Sequence, residues 1–221
     1  FVLVFGITFL YSFKTILRNN DWKNNLTIFG HDVLISENSA TAHKIFGSSL
    51  FYSIKDSPDK QGQADTFEIA KQHLKKALEI YPSYVDPLSP LGIIYYFENK
   101  FDSAYYYQKK ELEFHKDSID LNYNFGKTLN KLLKYDESIT VSNHVLTLNP
   151  KHEGANFNLA LAYTNKKDYD KGLFYLSKVI ELNPKRADAY YYTGLILKAK
   201  GEEIKANDFL NKATSLGYKP N

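Results

Sequence analysis

Between residues 85 and 220, apolar and polar positions fall into two helical phases that recur together every 34 residues. Small residues mark the beat at Gly92, Gly126, Ala160 and Gly194, and Tyr95, Leu129, Tyr163 and Leu197 follow three places later. Phe101, Tyr135 and Tyr169 come next, then Ala104, Ser138, Gly172 and Ala206. Pro150 and Pro184 close two units with the endings LTLNP and IELNP. With each unit numbered from 1 to 34, the apolar spacing predicts helix A over about positions 2–14 and helix B over about 17–30. The pair crosses where both helices carry a small residue, at positions 8 and 20, since a bulky side chain there costs roughly 1–3 kcal/mol. The position-17 aromatic fills the space over the turn, and the position-32 proline stops helix B because it cannot continue one. A period of this size built from paired helices specifies an all-α solenoid rather than a closed globule.

The register yields five units, 40–84, 85–118, 119–152, 153–186 and 187–220. The first is longer, since Gly47 to Gly92 is 45 residues, or 34 plus 11. The surplus falls at 55–65, KDSPDKQGQAD, where a polar insertion between helices A and B can project from the edge at little cost. Helix B then resumes with Phe67, Ala70, Leu74, Ala77 and Ile80 and ends at Pro82. Residues 19–39 supply one unpaired helix, Asp21–Glu37, capped by Asp21 and apolar along Trp22, Leu26, Phe29, Val33 and Ile35. An orphan helix suits a solenoid end, where one face lacks a neighbour. The final helix B is polar through Glu203, Lys205, Asn207, Asp208, Asn211 and Lys212, as an unstacked terminal face would be.

Residues 1–13, FVLVFGITFLYSF, carry no charge. A helix of that length spans roughly 20 Å against a hydrocarbon core of about 30 Å. With Tyr11 at interfacial depth and Lys14 and Arg18 at the headgroups, residues 1–18 read as the last two-thirds of a transmembrane helix and its flank, continuing a longer chain. The alternative is a buried first helix of the solenoid. No basic region precedes the segment and no small-residue cleavage site follows, which argues against a signal peptide.

Composition narrows the function classes. The net charge is +3 over 221 residues with basic and acidic residues interspersed, so no basic stripe points to nucleic acid. Cysteine is absent, which excludes disulfides and thiolate metal sites. The six histidines, His31, His43, His73, His115, His144 and His152, read as scattered with no i, i+4 pair, so neither a metal nor a cofactor is expected. Gly126-Lys127-Thr128 imitates the end of a phosphate loop, but Leu121 stands where the earlier glycine belongs. Asp168 and Asp170 bracket a helix A–B turn and read as caps, leaving no catalytic constellation. Asn25-Leu26-Thr27 is a sequon on a helix and reads as chance.

In this pattern residues 40–220 resemble the tetratricopeptide repeat family, most fully in Glu153–Arg186 through Leu159, Ala160, Tyr163, Tyr169, Gly172, Val179 and Pro184. The second copy departs at Glu111 and Lys116, where alanine and proline are usual. The resemblance implies a right-handed solenoid of antiparallel helix pairs whose concave face, lined by helix A, holds peptide or protein segments. On that register position 6 gives Asn124 and Asn158, flanked by Pro90 and Tyr192. Such a pair is similar to the asparagine ladders of sugar-transferring relatives, since an amide both donates and accepts against a peptide backbone. Position 5 gives Lys44, Ser89, Tyr123, Phe157 and Tyr191, and position 12 gives Phe51, Tyr96 and Asn130. Lys127 and Lys131 add positive charge, favouring an acidic stretch or a terminal carboxylate. The candidate groove is therefore Lys44, Tyr96, Tyr123, Asn124, Lys127, Asn130, Lys131, Phe157, Asn158 and Tyr191. The other readings are solvated polar residues and aromatics packed between neighbouring A helices. The family's carboxylate clamp is not reproduced, because Ser48 stands where asparagine is expected, which argues against chaperone tails.

The front resembles, on less sequence, polytopic membrane proteins related to O-mannosyltransferases that carry C-terminal tetratricopeptide repeats, through Arg18-Asn19-Asn20-Asp21-Trp22. That resemblance implies a catalytic part outside these residues and repeats on the periplasmic or lumenal side. Lys14, Arg18 and Lys23 vote for a cytoplasmic flank instead. The function expected is a membrane-tethered interaction module binding protein or peptide segments, the alternatives being an acceptor-presenting domain of a glycosyltransferase and a structural spacer.

Overall fold

The computed structural model describes residues 25–219, and every described element is an α-helix. In chain order these are α1 (Asn25–Ile35), α2 (Ala40–Ile54), α3 (Lys60–Ile80), α4 (Leu88–Phe97), α5 (Phe101–Leu112), α6 (Ile119–Lys131), α7 (Tyr135–Leu148), α8 (Glu153–Asn165), α9 (Tyr169–Leu182), α10 (Ala187–Ala199) and α11 (Glu203–Ser215). The apolar segment 1–18, the Arg18–Trp22 junction and the Asp21 cap lie outside the described residues. Among those described, no helix is long and apolar enough to cross a membrane.

The chain forms two compact units, divided after Ile94. In the first, α1 packs on α2 and α2 on α3. Gly47 of α2 is the crossing point: a Cβ there would sit 2.8 Å from Leu74 Cγ and 2.9 Å from the Ala70 carbonyl of α3. Phe51, Phe67 and Leu74 fill the space around it. The polar stretch 55–65 is not all edge loop, as the sequence suggested. Asp59 caps Gly62 N–H at 3.1 Å, so residues from Lys60 onward extend helix B. Gln63, on that extension, donates to the Ile54 and Lys55 carbonyls at 3.1 and 2.8 Å and closes the C-terminus of α2. In α1 only Val33 is buried among the described side chains, and Ile35 is 69% exposed, because residue 35 falls off the stripe set by 26, 29 and 33. The histidines are not all scattered either. His43 and His73 meet with Nδ1 atoms 2.9 Å apart, and His43 Nε2 lies 3.0 Å from the Glu37 carbonyl.

The second unit stacks α6 through α11 in succession, and the two A helices α6 and α8 also touch directly. Predicted and observed helices agree to about one residue here, because the A–B crossing pins the register. Gly126 is held against Ser142 and Val141 of α7, and the buried Ser138 hydroxyl donates to the Gly126 carbonyl at 3.1 Å. Gly194 is held in the same way against Leu210 and the Ala206 carbonyl of α11. Leu129, Val145, Leu159, Leu176, Val179 and Ile196 complete a closed apolar core.

A second feature keeps the 34-residue beat although no single residue type marks it. Asn99, Leu133, Lys167 and Gly201 have φ of 58°, 60°, 63° and 82°. Each ends a helix A in the left-handed conformation, and the next N–H reaches back to Tyr95, Leu129, Tyr163 or Leu197, all at 2.9 Å. The positions that recur three places after each small residue are thus the carbonyls that accept this closing bond. A side chain with a Cβ is strained by roughly 1–2 kcal/mol in that conformation.

Leu133, 69% exposed at one of these turns, should stabilise the fold by about 1 kcal/mol as Leu133→Gly, while Gly201→Ala should destabilise it by a similar amount. Urea unfolding of both variants checks the opposite signs. Burial, then the neighbouring His43, holds His73 below its ordinary value of 6.5. As pH falls through 6.5 the unfolded chain takes up a proton that native His73 resists, so stability falls with acidification below that value. Thermal melts of the parent and His73→Gln between pH 7.5 and 5 should show a steeper decline for the parent.

Candidate peptide-binding face

Helices α6 and α8 each begin at a side-chain cap, whereas α10 begins at Arg186 without one. Ser118 Oγ caps Leu121 N–H at 3.4 Å and His152 Nδ1 caps Ala155 N–H at 3.0 Å. These caps satisfy the free N–H groups of the first turn and fix which side chains each helix presents. Tyr96, from the end of α4, joins Tyr123, Asn124, Lys127, Asn130 and Lys131 of α6. Phe157 and Asn158 come from α8, and Tyr191 and Tyr192 from α10.

The expected asparagine ladder is not a pair of open rungs. Asn158 is 2% exposed and its Nδ2 donates to the Tyr123 carbonyl at 3.1 Å, while its own carbonyl accepts from Asn130 Nδ2 at 3.0 Å. Both amides brace α6 against α8. Asn158 stands on the buried side because Gly126, whose Cβ would lie 3.0 Å from its Nδ2, leaves room for it. Asn124 is half-buried, and its side chain has no hydrogen-bond partner among the described residues. The buried Asn130 Oδ1 also lacks one.

The aromatics divide between packing and exposure. Tyr123 stacks near His152 at 5.1 Å, with its ring over Gly154, where a Cβ would come within 2.4 Å. Phe157 meets Tyr192 edge-on at 5.7 Å and carries the Arg186 guanidinium 3.9 Å above its ring. Tyr191 stacks on Tyr218 at 4.3 Å. Each remains only half-buried, so packing between A helices and presentation on the face coexist.

Two cationic arrangements differ sharply. Arg186 is neutralised: it donates to Glu153 at 2.8 Å and to Asp188 at 2.8 and 3.3 Å, and Asn183 joins Glu153 at 3.2 Å. This network clamps the starts of α8 and α10 and was not singled out from the sequence; Glu153, Arg186 and Asp188 fall at the edges of neighbouring units, where facing charges would have suggested it. Lys127 is not neutralised. Its Nζ lies 4.6 Å from the Tyr96 ring centroid and 5.4 Å from that of Tyr123. Burial, then Lys131, holds its ammonium below the ordinary lysine value. Burial also raises both phenols, so they stay protonated donors at neutral pH. Lys131 is exposed, 6.0 Å from the Phe101 ring centroid.

Lys44 belongs to the first unit, paired with Asp86 at 2.9 Å beside an open hollow of about 400 Å³ lined by Ser48, Ser49, Tyr52, Ser89 and Pro90. Gly126-Lys127-Thr128 lies inside α6 and forms no phosphate loop. Asp168 caps Lys171 N–H at 3.3 Å, and Asp170 pairs with Lys200 at 2.5 Å. Among the described residues no three metal-ligating side chains converge.

A tetratricopeptide repeat family model matches residues 119–152 and 154–186. A solved structure described as YrrB, a TPR protein with an unusual peptide-binding site, superposes with a TM-score of 0.66 at 23% identity, covering 86% of this chain and 92% of that one. MamA gives a TM-score of 0.61 at 25% identity, covering 74% and 94%. Pseudomonas aeruginosa PilF gives 0.63 at 22%, covering 82% and 78%. No curated protein sequence matches the chain. The matched residues are tetratricopeptide repeats, and the helix pairs have that fold.

Asn158→Ala should destabilise the chain by about 1 kcal/mol, because the Tyr123 carbonyl keeps its own helical bond and only the brace is lost. Asn124→Ala should change stability by less than about 0.5 kcal/mol. Urea unfolding of the two variants side by side measures the difference.

Proposed function

We propose that this chain, whose residues 119–186 are tetratricopeptide repeats, is an interaction module that holds an extended peptide or protein segment against the A-helix face of its second unit. The observation that carries this reading is the concentration there of groups without partners. The side chains of Asn124, Lys127 and Lys131 and the hydroxyls of Tyr96 and Tyr123 have neither hydrogen bonds nor ion pairs among the described residues, whereas buried polar side chains behind them, such as those of Asn122, Asn156 and Thr193, are bonded. Polar donors beside half-buried aromatic rings supply both the backbone contacts and the anchors that an extended segment needs. The likeness to YrrB, whose description names a peptide-binding site, supports the same reading.

The uncharged segment 1–13 supports a membrane tether for the module, and the resemblance of the Arg18–Trp22 junction supports the periplasmic or lumenal side for the repeats, against the vote of Lys14, Arg18 and Lys23. A second reading, an acceptor-presenting domain of a membrane mannosyltransferase, rests on the Arg18–Trp22 junction and shares the same binding face.

Selection of a random dodecamer display library on the chain should enrich peptides. Asn124→Arg, which fills the face, should weaken the enriched peptides by about tenfold or more, while Phe174→Arg, on a helix B, should leave them unchanged. Failure to enrich any peptide, or equal weakening by both substitutions, rejects the reading.

A further inference from the structure

We propose that Lys127, flanked by the rings of Tyr96 and Tyr123 and followed one turn later by Lys131, is the receptor for a single aspartate or glutamate side chain of the bound segment. The inference rests on the peptide-binding reading above and specifies which chemistry that face selects.

Three observations lead to a carboxylate. First, Lys127 is a half-buried ammonium with no carboxylate at ion-pairing distance among the described residues. Other lysines of the second unit find one: Lys134 reaches Glu137 at 3.0 Å, Lys171 reaches Asp168 at 2.8 Å, Lys200 reaches Asp170 at 2.5 Å, and Lys166 pairs with Asp136. Second, Glu153 and Asp188, the acidic groups that act on the neighbouring Tyr123, are already engaged by Arg186. Lys127 thus has no ion-pair partner among the described residues, and a partly buried charge without one is costly. Third, the phenol hydroxyls of Tyr96 and Tyr123 remain hydrogen-bond donors without partners. An ammonium and two neutral phenols bring together three donor groups, which an incoming carboxylate satisfies. The aromatic rings exclude water from one side of the ammonium, so the pair forms where screening is weak. Only two lysines contribute, so the site suits a single carboxylate rather than a polyphosphate strand, which needs a longer basic track.

The dodecamers enriched on the parent chain supply the test. They should carry aspartate or glutamate at one fixed place. For a synthetic, fluorescein-labelled copy of the strongest binder, glutamate-to-glutamine exchange at that place should weaken binding about tenfold or more by anisotropy. Lys127→Met should weaken the acidic peptide equally and the glutamine peptide no further, whereas Lys185→Met, an exposed lysine elsewhere, should change neither. Circular dichroism checks that Lys127→Met keeps its helices. On the parent chain with ¹³C-methylated lysines, the Lys127 resonance should move with the acidic peptide and stay with the glutamine one, which tests the contact without any substitution. Enriched peptides lacking a fixed acidic place, independent effects of the two exchanges, an unmoved Lys127 resonance, or a preference for phosphoserine over glutamate would each overturn the carboxylate receptor while leaving the peptide-binding face intact. A selection that enriches nothing overturns both.

Discussion

The close approach of helix A to helix B within each repeat is the constraint on which the rest of the second unit depends. At Gly126 and Gly194 the partner helix lies so near that a methyl group would meet side-chain or backbone atoms at about van der Waals distance or less. That proximity lets Ser138 bond the Gly126 carbonyl directly and leaves Ala160 and Ala206 without exposed surface. Because interiors are packed at crystal-like density, the crossing tolerates little sliding along either helix. It therefore fixes the phase of every other residue, including those turned away from the core.

The left-handed turns at Asn99, Leu133, Lys167 and Gly201 are the second consequence. A chain that reverses so quickly while keeping two helices in contact must close helix A with a backward bond, and that bond requires positive φ. Leu133 and Lys167 carry side chains that disfavour it, so the packing of the pair outweighs the local preference. Order imposed from the core in this way delivers α6, α8 and α10 side by side. Their outer sides then differ electrostatically: the Arg186 network is closed on itself, while the Lys127 ammonium is left among phenols.

How much of this was legible depends on whether a function is written in residue type or in geometry. The helices of the second unit followed from small and apolar positions alone, as did the capping role of Asp168. The polar stretch 55–65 was misleading, since its glycine and proline suggested a loop, yet Asp59 and Gln63 supply the bonds that make part of it helical. His43 and His73 are 30 residues apart and share no helix, so only the packing of α2 on α3 brings their Nδ1 atoms together. For the candidate face, the register grouped Tyr123, Lys127 and Phe157, and the Lys127 ammonium lies 5.4 Å from the Tyr123 ring centroid. It could not separate Asn124 from Asn158, which hold the same unit position and differ in what lies opposite them.

The sequence by itself determined the fold class, the period and the helix pairs, because periodicity of apolar residues is a property of one strand of chain read in order. The same reading identified which positions had to be small. Only the tertiary structure decided which polar groups are engaged and which are free. Asn158 is a brace because the Tyr123 carbonyl of the neighbouring helix is within reach; Asn124 is available because nothing is. Arg186 is neutral in effect because two carboxylates from two helix starts converge on it, and the charge of Lys127 is uncompensated because none reaches it among the described residues. Burial and pairing are relations between elements distant in sequence, and those relations exist only once the repeats are stacked.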